Sequence, residues 1–403
     1  MSKSSFKELF RSGVIAALLL VSASVVSGQI NLKKINGGEL SAISTAVPFI
    51  TITPDSRAGA LGDAGVATKP DMSSQHWNVA KYAFIERDGG LSVSYTPWLK
   101  ELGIDDINLA YLSTFYKPTR DQVISGSLRY FSLGQIVFTN DQGDIIKPVR
   151  PFEMAVDAGY SRLFSDNFSG GITFRYIHSN LTMNYDTDSR PGIAVASDLG
   201  FYYQDELRLS GGNDGGYAVG FALTNLGTPI SYSDDSEKVP LPSTMRLGGR
   251  FDYEIDDYNS MSFMLEFNKL LVPSPPEREN DSVVRGYPEP ESVVLGMIQS
   301  FYDAPGINYP DGSYSSTFRE ELSEIMVSAG IEYWYSNQFA IRTGYFHESS
   351  VKGNRKYFTL GVGLKLNVFA LDFAYLVPIN GQASPLYNTL RFTLGFDFES
   401  LKL

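Results

Sequence analysis

The chain has no cysteine, and histidine appears only at positions 76, 178 and 347. Without thiols there are no disulfides and no thiolate metal ligands or nucleophiles. Three scattered histidines leave little for zinc chemistry, and His347-Glu348 is adjacent rather than spaced as H-E-x-x-H. No G-x-S-x-G nucleophile elbow occurs either, so the chain reads as a non-enzyme that needs no cofactor and no metal. Positive charge is also in deficit, at 33 Lys and Arg against 45 Asp and Glu, a net −12. That balance argues against nucleic acid as a partner, which calls for a basic face. Beyond the first 28 residues, no apolar run approaches the roughly 20 residues of a spanning helix.

What the chain has instead is alternation. From Leu390 to Phe398, the residues Leu390, Phe392, Leu394, Phe396 and Phe398 alternate with Arg391, Thr393, Gly395 and Asp397. A period of two puts one set on each face of a strand. The pattern recurs in 356–366 (Phe358, Leu360, Val362, Leu364) and in 369–377 (Leu371, Phe373, Tyr375, Val377). Bulky apolar residues on one face and small or charged ones on the other describe a transmembrane β-barrel, apolar to lipid and polar to lumen. The expected fold class is all-β, an antiparallel barrel of fourteen strands. The strands are expected near 91–97, 104–117, 121–134, 151–164, 167–180, 192–204, 216–227, 242–254, 259–271, 323–335, 338–348, 356–366, 368–377 and 388–398. Arg129, Asp157, Arg175 and Asp372 should face the lumen, because Arg in lipid costs about 2–4 kcal/mol near the midplane. Glycines inside strands, such as Gly170, Gly171, Gly248 and Gly249, mark kinks or places where lumenal material meets the wall.

The connections alternate in length. Tight turns at 117–120, 165–167, 336–337 and 367 alternate with longer links at 135–150, 181–191, 228–241, 272–322, 349–355 and 378–387. Periplasmic termini would put the tight turns on the periplasmic side and the long links outside the bacterial cell. Only the Gly-rich stretch 205–215 would be a long turn on the periplasmic side. The longest link, 272–322, opens with Pro273-Ser274-Pro275-Pro276 and holds a predicted helix near Ser292 to Tyr302. Phe301, Tyr302 and Tyr309 within it are the expected partner-binding anchors, since aromatics dominate contact energetics. Two acidic runs, 234–237 and 277–281, lack the spacing of an EF-hand and read as solvated surface.

Residues 1–28 read as a signal peptide, with Lys3, Lys7 and Arg11 before the apolar stretch Val14 to Val26 and small residues before Gln29. Residues 29–90 are too polar to span and would plug the lumen or cap it. Their core is Ser56 to Ala67, with Gly59, Gly62, Asp63 and Gly65, followed by Gln75-His76-Trp77-Asn78. Glycines at this spacing match neither a dinucleotide fingerprint nor a phosphate loop; they let backbone pack on backbone, and the segment is expected to wedge against the barrel wall. The barrel itself would occupy 91–403.

The run Arg57 to Ala80 resembles the glycine-rich start of FadL-like outer-membrane barrels, with Val79 where their Trp-Asn-Pro-Ala motif carries Pro. Together with Lys81-Tyr82-Ala83-Phe84, Ser300 to Gly306 and Glu332-Tyr333-Trp334-Tyr335, it resembles the PorV family of type IX secretion barrels. The resemblance implies a fourteen-stranded barrel with an N-terminal plug, embedded in outer-membrane lipid. It also implies partners: a SprA-type translocon, the C-terminal signal domains of secreted cargo, and a PorU-type sortase attachment complex. The wider superfamily implies an alternative, transport of hydrophobic small molecules, which requires a cavity through the lumen.

Overall fold

The computed structural model describes residues 41–98, 106–139, 142, 144–181, 183, 189–209, 214–233, 238–280, 282–309, 311–379 and 389–398. The signal-peptide reading and the acidic run 234–237 lie outside these residues. In chain order the strands are β1 (Gly89–Pro97), β2 (Ile107–Thr119), β3 (Gln122–Leu133), β4 (Ile136–Thr139), β5 (Ile145–Val149), β6 (Phe152–Leu163), β7 (Phe168–Asn180), β8 (Gly192–Arg208), β9 (Asp214–Gly227), β10 (Thr244–Asp256), β11 (Asn259–Leu270), β12 (Glu277–Glu279), β13 (Ser282–Arg285), β14 (Ile325–Tyr335), β15 (Phe339–His347), β16 (Lys356–Lys365), β17 (Phe369–Pro378) and β18 (Leu390–Phe398). All but β4, β5, β12 and β13 form one closed barrel of fourteen antiparallel strands, each paired with its neighbour in sequence and β1 closing on β18. All fourteen expected strands are present, in the expected order. The two pairs outside the barrel are short hairpins within long links, and alternation over three to five residues was too brief to reveal them.

The faces follow the period of two. Phe358, Leu360, Val362 and Leu364 of β16 are exposed on the outside, as are Phe392 and Leu394 of β18. Such a belt is stable in hydrocarbon because every strand is paired and no backbone edge is left open. Arg129, Asp157 and Arg175 are buried in the lumen, and Asp372 pairs there with Arg342. Tight turns and long links alternate around the barrel, so one rim carries the turns and the other the links. At the turn between β14 and β15, Ser336 and Asn337 both adopt φ near +54°, the left-handed conformation that lets the chain reverse between Tyr335 and Phe339. β8 and β9 run further into the Gly-rich stretch 205–215 than expected; their ladder extends to Arg208↔Asp214.

Residues 41–88 occupy the lumen. The chain is first described at the long-link rim, where Ser41 N–H donates to Val351 O and Ala46 N–H to Pro240 O. A 3₁₀ turn at Pro48–Thr51 buries Phe49 and Ile50 against Ala155, Ile177, Ala194 and Leu241. Two one-turn helices follow, α1 (Ser56–Gly59) and α2 (Ser74–Trp77), then a 3₁₀ segment at Val79–Phe84. The segment then reaches the tight-turn rim, where β1 begins. The plug therefore crosses the barrel from one rim to the other.

Candidate functional site

The plug is seated by close approach and by buried charge. Wall glycines face it on many strands. A methyl group at Gly344 (β15) would lie 2.1 Å from Gly62 N, one at Gly220 (β9) 2.2 Å from Val66 O, and one at Gly361 (β16) 2.3 Å from Ala60 Cβ. Gly171 meets Val79 and Gly248 meets Val66 in the same way, whereas Gly249 touches no plug atom. Gly170 instead meets Phe164. Strand glycine here is a device for laying plug backbone against sheet backbone.

The seven plug residues expected from sequence all lie inside the barrel, against different parts of it. Gly59 lies under the Arg391 guanidinium. Gly62, with φ +69°, backs onto Tyr345 and donates its N–H to Thr359 Oγ1 at 2.9 Å. Asp63 accepts from Tyr357 and from Arg391 Nη1 at 3.2 Å. Gly65 leaves room for the Trp77 indole, which a Cβ there would overlap at 2.0 Å. Trp77 donates Nε1–H to Asp55 at 2.7 Å and carries Arg246 over its ring at 4.9 Å. His76 accepts at Nδ1 from Arg129 at 2.6 Å; a guanidinium only donates, so His76 is neutral there. Burial and the charge of Arg129 hold its pKa well below the ordinary value. Asn78 caps the next 3₁₀ turn through Ala80 N–H and bonds Phe201 O on β8 at 2.9 Å.

The charged anchors around them were not singled out from sequence. Glu266 of β11 accepts both Gly65 N–H (2.7 Å) and Val66 N–H (2.8 Å). Glu332 of β14 takes Arg57 in a two-pronged bond, Nε and Nη2 each at 2.9 Å, and also Arg342 Nε at 2.7 Å. Asp55 caps α1 through Ala58 N–H, and burial together with Asp71 pushes its pKa up to about 6. Lys81 donates to Gly65 O and Thr68 Oγ1, both at 2.8 Å, and burial brings its pKa down to about 8. Arg57, Asp55 and Lys81 stand out only as isolated charges in a run of small residues.

The lumen is thus filled across its middle. On the wall, Arg175 bridges Asp157 (2.7 Å) and Asp198 (2.9 Å), and Asn225 N–H donates to Asp198 at 2.6 Å. The space between Gln75–Val79 and Asp198–Gly200 has no room for a water molecule. At the tight-turn rim a polar vestibule of about 1100 Å³ remains, with Asp55, Arg57 and Asp71 as its floor.

The link between β11 and β14, residues 271–324, is folded. It holds the hairpin β12–β13 and two helices, α3 (Val293–Gln299) and α4 (Thr317–Ser323), capped by Ser292 and Ser316. The first is the predicted helix; the second was not expected, its apolar residues being too few for a helical stripe. Phe301 and Tyr302 are about half exposed. Phe301 lies 5.6 Å under Lys269 Nζ, and Tyr302 meets Tyr287 edge-on at 5.5 Å. Tyr309 sits apart, half-buried in a small turn closed by Ser313. Exposed apolar surface also comes from Val294, Leu295 and Ile298 on α3 and from Phe318 and Leu322 on α4.

A family model described as "Type IX secretion system protein PorV" matches residues 36–277, more than half of the chain and all of the described plug. The chain belongs to the PorV family. It is accordingly an outer-membrane β-barrel and a component of type IX secretion. No curated protein matches it in sequence. Among solved structures, the toluene transporter TodX of Pseudomonas putida is 10% identical, covering 89% of this chain and 99% of its own, with a TM-score of 0.46. The toluene transporter TbuX of Ralstonia pickettii is 13% identical, covering 86% and 96%, at 0.40. A Pseudomonas aeruginosa FadL homologue is 12% identical, covering 90% and 100%, at 0.38.

Proposed function

We propose that this PorV-family barrel is a non-enzymatic carrier of secreted proteins. It would bind the C-terminal signal domain of cargo at a SprA-type translocon and deliver it to a PorU-type attachment complex on the cell surface. The tight-turn rim would face the periplasm and the long links the exterior. The observation that carries this reading, beside the family, is the contrast between the two parts of the molecule. The lumen is packed with buried ion pairs, which argues against conduction of a hydrophobic solute. The 271–324 link, by contrast, presents ordered, exposed apolar side chains of the kind that anchor protein contacts.

The test is isolation of the tagged protein from native membranes in mild detergent. Co-recovery of a translocon subunit, or of cargo through its C-terminal domain, is expected. Loss of that recovery on replacing 286–302 by a short polar linker is also expected. Recovery of the barrel alone, with bound lipid or fatty acid, would overturn the reading.

A further inference from the structure

Beneath the two helices of the 271–324 link lies a buried cluster of charge. Lys269, at the end of β11, donates to Glu321 at 3.0 Å and to Glu324 at 2.5 Å. Lys352, from the link between β15 and β16, donates to Glu320 at 2.6 Å and to Glu324 at 2.9 Å. Ser274 Oγ adds a bond to Glu324 at 2.5 Å. Glu320 and Glu321 also accept Gly306 N–H (2.7 Å) and Ala304 N–H (3.0 Å), which ties the chain after α3 to α4. Asp303 is fully buried in the same place. One of its oxygens accepts Ser274 N–H at 3.3 Å, and the other, Oδ2, has no partner.

The cluster holds four carboxylates and two ammonium groups, and both lysines are spent on glutamates. The groups facing Asp303 are Glu321 and Glu324 from α4 and its cap, Ser274 from the start of the link, and Gln299 from α3. None of them is a cation. An ionised Asp303 would add an uncompensated buried charge beside two others. A protonated Asp303 removes that charge.

We propose that this cluster is a proton-linked latch, which holds the 271–324 link on the barrel rim when Asp303 is protonated and loosens it when Asp303 ionises. The inference does not depend on what the link binds. Burial, reinforced by Glu321 and Glu324, pushes Asp303 from its ordinary 3.8 up to about 6. A carboxyl with a raised pKa in the docked state favours docking at low pH. Docking then weakens as pH climbs from about 4 through 6, by roughly 100-fold for a two-unit shift. Glu324 does not unlatch in that window. Although burial opposes it, Lys352 and Lys269 hold Glu324 below the ordinary carboxylate range, so its bonds persist at pH 5.

The absence of native cysteine allows a clean test. Leu295→Cys on the exposed face of α3 takes a spin label, and the line shape of the full-length barrel in nanodiscs is followed from pH 4 to 8. The expected result is a label immobile at pH 4 that becomes mobile between pH 4 and 6, with little further change above about 7. Asp303→Asn, which cannot ionise, should keep the label immobile throughout, whereas Lys352→Met should free it throughout. A flat wild-type profile overturns the proposal. So does an Asp303→Asn profile that retains the wild-type midpoint, since that would assign the titration to another group such as His347 on β15.

Discussion

Glu332 is the sharpest test of whether the plug is fixed. Its carboxylate receives three charge-assisted bonds, two from Arg57 of the plug and one from Arg342 of the neighbouring strand. Glu332 and Arg342 are almost fully buried, and Arg57 largely so. At about 1.5–3 kcal/mol for a hydrogen bond to a charged group, the gross loss in Glu332→Leu is several kcal/mol. Part is retained, because Arg57 keeps Asp71 at 2.9 Å and Lys69 O at 3.0 Å, and Arg342 keeps Asp372. Breaking a buried pair generally costs about 3–5 kcal/mol, and the retained partners point to the lower end, about 3 kcal/mol. Urea unfolding of the barrel in detergent, read by tryptophan fluorescence, measures it. The comparison is Arg162→Leu at the tight-turn rim, whose 3.4 Å pair with Asp121 is about half exposed and should contribute under about 1 kcal/mol. In a double-mutant cycle, Arg57→Met and Glu332→Leu should couple by more than about 1 kcal/mol. A Glu332→Leu effect no larger than that of Arg162→Leu, or additive singles in the cycle, would refute the view that buried charge seats the plug.

Other outcomes follow from the same geometry. Gly344→Leu has no space against Gly62 N and should dislodge the plug, raising protease cleavage within 56–70, whereas Gly249→Leu, with no atom of the plug near it, should not. Asp55, raised to about 6, opposes folding when ionised; stability should therefore rise as pH falls from 7 toward 4, and Asp55→Asn should flatten that dependence in urea titrations at the two pH values. Phe301→Ala with Tyr302→Ala should lower co-recovery of the translocon or of cargo at least tenfold while leaving the urea midpoint unchanged, because both side chains are half exposed.

The barrel was legible because lipid outside and water-like polarity inside impose opposite demands on alternate residues, as at Phe392 and Thr393. That rule acts strand by strand and needs no partner. It also placed Arg129 and Arg175 in the lumen. It did not name their partners: Asp198 lies diagonally across the regular β7–β8 ladder from Arg175, and Asn225 reaches it from β9, where the β8–β9 ladder is irregular and Asn225 takes a positive φ. The plug motif was readable as small residues around Trp77. Which wall glycine receives which plug atom was not, since Gly344 and Gly62 are joined only by the closed barrel. The latch residues Lys269, Asp303, Glu320, Glu324 and Lys352 carry no local pattern. Each looks like surface charge until the link folds over them.

The route of the plug has a bearing on biogenesis. Segment 41–88 runs from rim to rim inside a cylinder whose seam joins β1 to β18, the first and last strands to be made. The bonds that hold it reach as far as Thr393 on β18, whose hydroxyl accepts from Ser56 N–H. Threading a ready-made tube from the tight-turn rim would drag the apolar Phe49 and Ile50 past the buried charges of Asp157 and Arg175 before their partners Ala155 and Ile177 were in reach. Wrapping avoids that: the ribbon of strands curls around a segment already in place, and the final pairing seals it in. Assembly of this molecule is then an act of enclosure, with the interior fixed before the seam is sewn.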